Sequence, residues 1–221
     1  MQLSDIIDIL KALVKIRRLF WSEDDFKFAF ATQLQVKLGA KAEVRLEKRY
    51  ERGGKGAYTD ITVRMNGKSF PIELKYKTVK GTYADANGEI IELHTHSAID
   101  LGCYSYLKDI ERLEYLAKTD SEFERGFAII LTNEQGYYKD TQRTSVYDKF
   151  KIYEGREITG FLDWDRLRYN DNEPSWIKSH DAFNLKGKYI MQWADYLTEL
   201  SPADDESSPT IFKYQIAVIE N

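Results

Sequence analysis

Residues 58–77 read YTDITVRMNGKSFPIELKYK, and the reading of this stretch decides the fold. Two runs rich in β-branched and aromatic residues flank Asn66-Gly67, the dipeptide that best suits a two-residue hairpin turn. A turn centred there pairs residues whose numbers sum to 133, which sets Asp60 directly across from Glu73. Side chains alternate faces along a strand, so Glu73 and Lys75 project together while Ile72 and Leu74 point the other way. Two readings follow. The charges are solvent-facing teeth of an alternating hairpin, or they converge on one point where a charge is handled.

Like-charged carboxylates opposed across a strand pair destabilise a sheet unless something compensates. A hard divalent cation does so, since carboxylates bind Mg²⁺ with water and substrate phosphate completing its shell. Such an ion activates water and stabilises charge on a phosphoryl group. Lys75, on the face of Glu73, is placed to hold the attacking water or the developing negative charge. The residue types point to metal-dependent phosphodiester hydrolysis.

Working outward, residues 3–14 carry Leu3, Ile6, Ile7, Leu10, Leu13 and Val14 at helical spacing. A second helix begins at Ser22, a good N-cap followed by acids at 23, 24 and 25, and ends at Gly39. AEVRLEKRYE (42–51) alternates as a strand, RGGKGA (52–57) reads as a flexible connection, and TVKGTYADANGEIIELHTH (78–96) as a loop with turn signals. Helical period returns over 98–118, and FAIILTN (127–133) reads as a buried central strand. Helix, three strands, helix, strand is the order of an α/β core with a mixed sheet. Beyond residue 140 short aromatic-rich segments, FKIYEG, EITGFLDW, YIMQWADYL and FKYQIAVIEN, suggest strands and loops packed on that core. SPADDESSP (201–209) reads as a mobile acidic loop.

TD, twelve residues, then ELK resembles the PD-(D/E)XK motif of the restriction-endonuclease-like nucleases, with Thr59 in place of the usual proline. The resemblance covers about residues 20–135, and its element order is that of the superfamily core. WSEDDFKFA, RLEKRY, YTDITV, PIELKYKT, DLGCYSYLKDIERLE and GFAIILTNE together resemble an uncharacterised bacterial family within it, of a type associated with restriction or defence. The resemblance implies a restriction-endonuclease-like fold: a mixed central β-sheet flanked by helices over residues 1–140, with an N-terminal helix at 3–20 and a β-rich extension at 141–221. It implies Asp60 and Glu73 as ligands of Mg²⁺ or Mn²⁺ and Lys75 as the catalytic lysine. Glu23, or Asp25 after it, is the acid added from the first core helix. Lys108 and Arg112, four apart on the helix after the motif, are the expected phosphate contacts. The expected substrate is nucleic acid, specifically DNA, and a homodimer is the arrangement by which such enzymes often cut both strands. The alternative is a non-catalytic module that keeps the fold and binds nucleic acid or protein.

Composition is consistent with this. The net charge is −4, but residues 1–80 hold 17 Lys and Arg against 10 Asp and Glu, and the remainder 15 against 26. Basic character is therefore concentrated in the third that carries the motif, which suits a phosphate backbone. No run approaches the length of a membrane helix, the first residues make a poor signal peptide, and one cysteine, Cys103, fits a reducing cytoplasm. His94 and His96 form an H-x-H without a second ligand pair, so they read as loop residues rather than a zinc site. Cys103 reads as a buried thiol. Tyr104, Tyr106, Tyr115, Trp164, Trp176 and Trp193 read as core, and Glu47 as a strand-surface partner of Arg45 or Arg49 with a supporting role near the metal as the alternative.

Overall fold

A computed structural model describes residues 1–221 except 86, 97, 170–173, 199, 201 and 204–208. The expected acidic loop at 201–209 lies mostly outside the described residues.

Two helices open the chain, α1 over Leu3–Ile16 and α2 over Glu23–Leu38. Ser22 caps α2 by accepting from the Asp25 backbone N–H at 3.1 Å, and Gly39 ends it at φ 63°, a value that favours glycine. Phe26, Phe30 and Leu34, at four-residue spacing, form its buried stripe with Ala29. Three antiparallel strands follow, β1 (Ala42–Arg52), β2 (Lys55–Met65) and β3 (Lys68–Lys77). Asn66 and Gly67 turn with φ 54° and 71°, the double positive of a type I′ hairpin, and the register runs from Met65↔Lys68 to Ile61↔Ile72 as the sum of 133 requires. The expected flexible connection at 52–57 is instead a tight turn at Gly53-Gly54, flanked by the pair Arg52↔Lys55. The expected loop at 78–96 contains a short hairpin, β4 (Gly81–Ala84) and β5 (Ile90–Leu93), whose two strands are too brief for their period to show in the sequence.

The long helix α3 (Ile99–Thr119) crosses from β3 to β6 (Arg125–Thr132), which pairs parallel to β3. The last strands are β7 (Glu157–Leu162), β8 (Phe183–Ile190), β9 (Trp193–Leu197) and β10 (Phe212–Glu220). FKIYEG, expected to add a strand, begins at the end of a 3-10 turn and contributes none. The central sheet has the order β1-β2-β3-β6-β10-β9. Its strand β10, drawn from the expected extension, lies antiparallel to β6, with Phe212 in one apolar layer and Ala217 and Ile219 in the other. The protein is thus α/β, with a mixed six-stranded sheet between two apolar layers.

One layer joins α1 and α2 to the sheet through Phe20, Phe26, Ile61, Ile72, Leu74 and Tyr76. The other joins α3 and the β7–β8 hairpin through Tyr106, Ile110, Ile130 and the aromatic group of Tyr104, Phe150 and Trp164, whose ring centroids lie 4.6–5.4 Å apart. Cys103 is buried there, and burial holds its thiol well above the usual range. No described helix is long and apolar enough to cross a membrane.

Candidate active site

Everything of chemical interest gathers where β2 and β3 stop pairing. The ladder ends at Ile61↔Ile72, so Asp60 and Glu73 do not complete the next pair. Instead an oxygen of Asp60 accepts from the Leu74 N–H at 2.8 Å, filling the place of a ladder carbonyl. On its other side Asp60 is equally unpaired: Leu46↔Ile61 and Lys48↔Thr59 are partners, but Glu47 and Asp60 between them are not. Glu47 has φ 50°, rare for a non-glycine residue. Thr59 and Thr62, three residues apart, join hydroxyls at 2.7 Å, so the alternation of β2 slips by one between them. Strand distortion at this one position takes Asp60 out of the backbone pairing and turns one carboxylate oxygen onto the Leu74 N–H, leaving the other toward Lys27 at 3.6 Å.

Glu73 and Lys75 face α3, whose buried side carries Tyr106, Asp109, Ile110 and Leu113. The Lys75 ammonium lies 2.9 Å from Asp109 Oδ2, and the Arg112 guanidinium bridges Asp109 at 2.5 Å and Glu73 at 3.0 Å. Glu73 and Asp109 side chains are 1% and 2% exposed, so two buried carboxylates are held here by two half-buried cations. Glu23 reaches in from the other face of the sheet. Its carboxylate accepts from the Tyr76 N–H at 2.9 Å and from Lys77 Nζ at 3.2 Å, and lies 3.8 Å from Lys75 Nζ. Contacts of Phe26 with Phe20 and Tyr76 hold the start of α2 against β3 and so set this reach. Asp25, the second choice, is spent on Arg17 and the Trp21 N–H.

Glu23, Lys75 and Glu73 are thus linked through Asp109 and Arg112, and the charge of Asp60 reaches Glu73 and Lys75. Lys108 and Arg112 are not free phosphate contacts: Arg112 is committed to Glu73 and Asp109, while Lys108 pairs with Glu111 at 3.1 Å and lies over the Phe183 ring. Glu47 pairs neither with Arg45 nor with Arg49 but with Lys27, which also lies 3.0 Å from Asp24 and 3.6 Å from Asp60. Of the histidines, His96 accepts from the Thr78 N–H at 3.1 Å and closes the loop after β3. Asp109 is one of the polar residues, with Asp100, Lys108 and Arg112, that the resemblance sets on the helix after the motif, but no role for it follows from the motif. Its signal was position: it falls one turn after Tyr106 and one before Leu113 on the apolar face, where an unpaired carboxylate is costly.

No family model matches the chain, and no curated protein or solved structure matches it.

The electrostatics separate the two site carboxyl-bearing roles. Burial, then the charge of Asp109, pushes the Glu73 carboxyl well above its usual range despite Arg112. Burial alone would lower Lys75, but Asp109 and Glu23 more than offset it and hold the ammonium charged far beyond neutral pH. One oxygen of Glu73, Oε1, is buried with no hydrogen-bond partner among the described residues. Among the described residues no three His, Cys, Asp or Glu form a metal cage by themselves. The donor set is rather a pair of carboxylates, Glu73 with a spare buried oxygen and Asp60 released from its ladder. Two hard oxygen ligands with open positions suit Mg²⁺ or Mn²⁺, which keep water and substrate oxygens in their shell.

The raised Glu73 carboxyl has a consequence for stability. An acid whose folded value lies above its unfolded one binds more protons in the native state, so stability falls as pH rises from about 4.5 through the folded value and is level above it. Denaturant unfolding from pH 4 to 8 should show this fall in the wild type. Glu73→Gln should make it shallower, the remainder coming from Asp109, whose carboxyl burial also raises. Parallel curves for the two proteins would contradict the assignment.

Proposed function

We propose that the protein is a metal-dependent nuclease of the restriction-endonuclease-like type that hydrolyses phosphodiester bonds in DNA. The observation that carries this reading is the buried oxygen of Glu73 that has no hydrogen-bond partner among the described residues, on the strand whose Leu74 N–H holds the Asp60 carboxylate and beside a lysine held charged. Asp60 and Glu73 would hold Mg²⁺ or Mn²⁺, and the ion supplies a polarised phosphate and an acidified water when bound. Lys75 acts as a cation. Its ammonium, pinned by Asp109, donates to the attacking water or to the phosphoryl oxygen that gains charge. It is not a general base, because the carboxylates around it keep its proton on. Glu23 backs Lys75 and orients Lys77 at the end of β3.

Arg112 has a different role from the phosphate contact expected of it. It neutralises Glu73 and Asp109, which would otherwise repel each other in a buried site. The cytoplasm remains the proposed compartment.

A supercoiled-plasmid assay tests the reading. Nicking or linearisation should require Mg²⁺ or Mn²⁺, stop with EDTA and vanish in Lys75→Ala. Activity that persists in EDTA, or is equal in the two proteins, would contradict it. Salt-sensitive binding without cleavage under any metal would favour the non-catalytic alternative.

A further inference from the structure

Strands β1 and β2 pair over ten register positions, from Ala42↔Met65 to Arg52↔Lys55, yet β3 covers β2 only from Ile61 to Met65. The half of this hairpin beyond Asp60 is a two-stranded arm with no third strand. Its root is the distorted pair Glu47 and Asp60, and its tip is Gly53-Gly54, at φ 57° and 76°.

The inner face is folded toward α3. Arg52 pairs with Glu111, the Tyr115 hydroxyl donates to the Glu51 carbonyl at 3.1 Å, and the Tyr50 and Tyr115 rings lie 6.4 Å apart. Between arm and helix is a cleft of about 360 Å³ lined by Lys48, Tyr50, Thr59, Thr62, Leu116 and Asp120. The Tyr50 hydroxyl is buried without a partner, and the charges of Arg112 and Glu73 reach it. The arm and the candidate active site are therefore neighbours.

The outer face is open. Arg49 and Tyr58 are direct cross-strand partners, 60% exposed at the side chain and 52% exposed respectively. They lie two residues beyond Glu47 and Asp60 on the two strands, about 7 Å farther out along the arm. Among the described residues Arg49 pairs with the equally exposed Glu51 alone, an ion pair of little worth that a phosphate readily replaces. Among the described residues Lys48 and Lys55 have no ion pair. Residues 45–58 carry five Lys or Arg against two Glu, in a chain whose net charge is −4.

We infer that this arm is the substrate-holding element: its outer face binds the sugar–phosphate backbone of a nucleic-acid strand and leads it to Asp60. Arg49 and Lys55 contact phosphate, and the exposed Tyr58 ring offers a stacking surface for a base. The inference rests on the nuclease reading for the identity of the ligand.

Fluorescence anisotropy with labelled 20-nucleotide duplex and single-stranded DNA, in EDTA so that nothing is cut, tests it. The triple variant Arg49→Ala, Lys55→Ala, Tyr58→Ala should bind about 10- to 100-fold more weakly, and the slope of log affinity against log salt should become shallower by roughly two. Arg49→Glu alone, at an exposed site that does not threaten folding, should weaken binding at least tenfold. Affinity and salt slope equal to wild type in both would overturn the inference, as would no binding by the wild type at low salt. The two failures are distinguishable: a wrong arm leaves Mn²⁺ binding and cleavage intact, whereas a wrong nuclease reading leaves the wild type without a metal site.

Discussion

Asp109→Ala should lower the stability of the protein by about 3–5 kcal/mol, because it removes the buried carboxylate that pairs with both Lys75 and Arg112, leaving Lys75 with Glu23 at 3.8 Å and Arg112 with Glu73. For a chain of this length that is a fall of roughly 10 °C in melting midpoint. The size of the effect comes from burial. Exposed ion pairs such as Arg45 with Glu43 are worth under about 1 kcal/mol, and their removal should be nearly silent. Asp109→Asn keeps an oxygen acceptor for Lys75 while losing the charge, and should fall between wild type and alanine. A thermal melt of Asp109→Ala within 2 °C of wild type would show that the network does not hold α3 to β3.

Lys75→Ala should reduce metal-dependent DNA cleavage by about 10³-fold, the scale expected when a group that stabilises transition-state charge is removed. Metal affinity should be little changed, since Lys75 is not a ligand. Lys75→Arg keeps the charge and should recover part of the rate. Because Asp109 and Glu23 keep Lys75 protonated, the wild-type rate should not fall between pH 8 and 10 through loss of its proton. A rate that rises as Lys75 deprotonates would instead make it a base and contradict the role assigned here.

The hairpin at residues 58–77 was legible because a single strong turn signal, Asn66-Gly67, fixes a register, and a register fixes which side chains meet. That arithmetic predicts Asp60 directly across from Glu73; the ladder stops one pair short, at Ile61↔Ile72, and Asp60 accepts from the Leu74 N–H. The departure was not legible: the sequence carries no mark of the slip at Glu47 and Asp60, which depends on how β1 bends toward α3. Glu23 was legible as an acid just inside a helix N-terminus. The commitment of Arg112 to Glu73 was not, because helical spacing shows which residues share a face but not what that face meets. The placement of β10 inside the central sheet is a long-range choice, made by apolar layers that FKYQIAVIEN can fill and that no local pattern announces. Asp109 illustrates the general rule: a charge on the buried stripe of a helix marks a partner on another element.

Calorimetric titration of Mn²⁺ into the apo protein tests the central claim most directly. The claim predicts one bound ion per chain, with protons released on binding because the raised Glu73 carboxyl must ionise to serve as a ligand. Binding should be lost in Glu73→Gln and in Asp60→Ala. No binding by the wild type, or undiminished binding in both variants, would contradict the account.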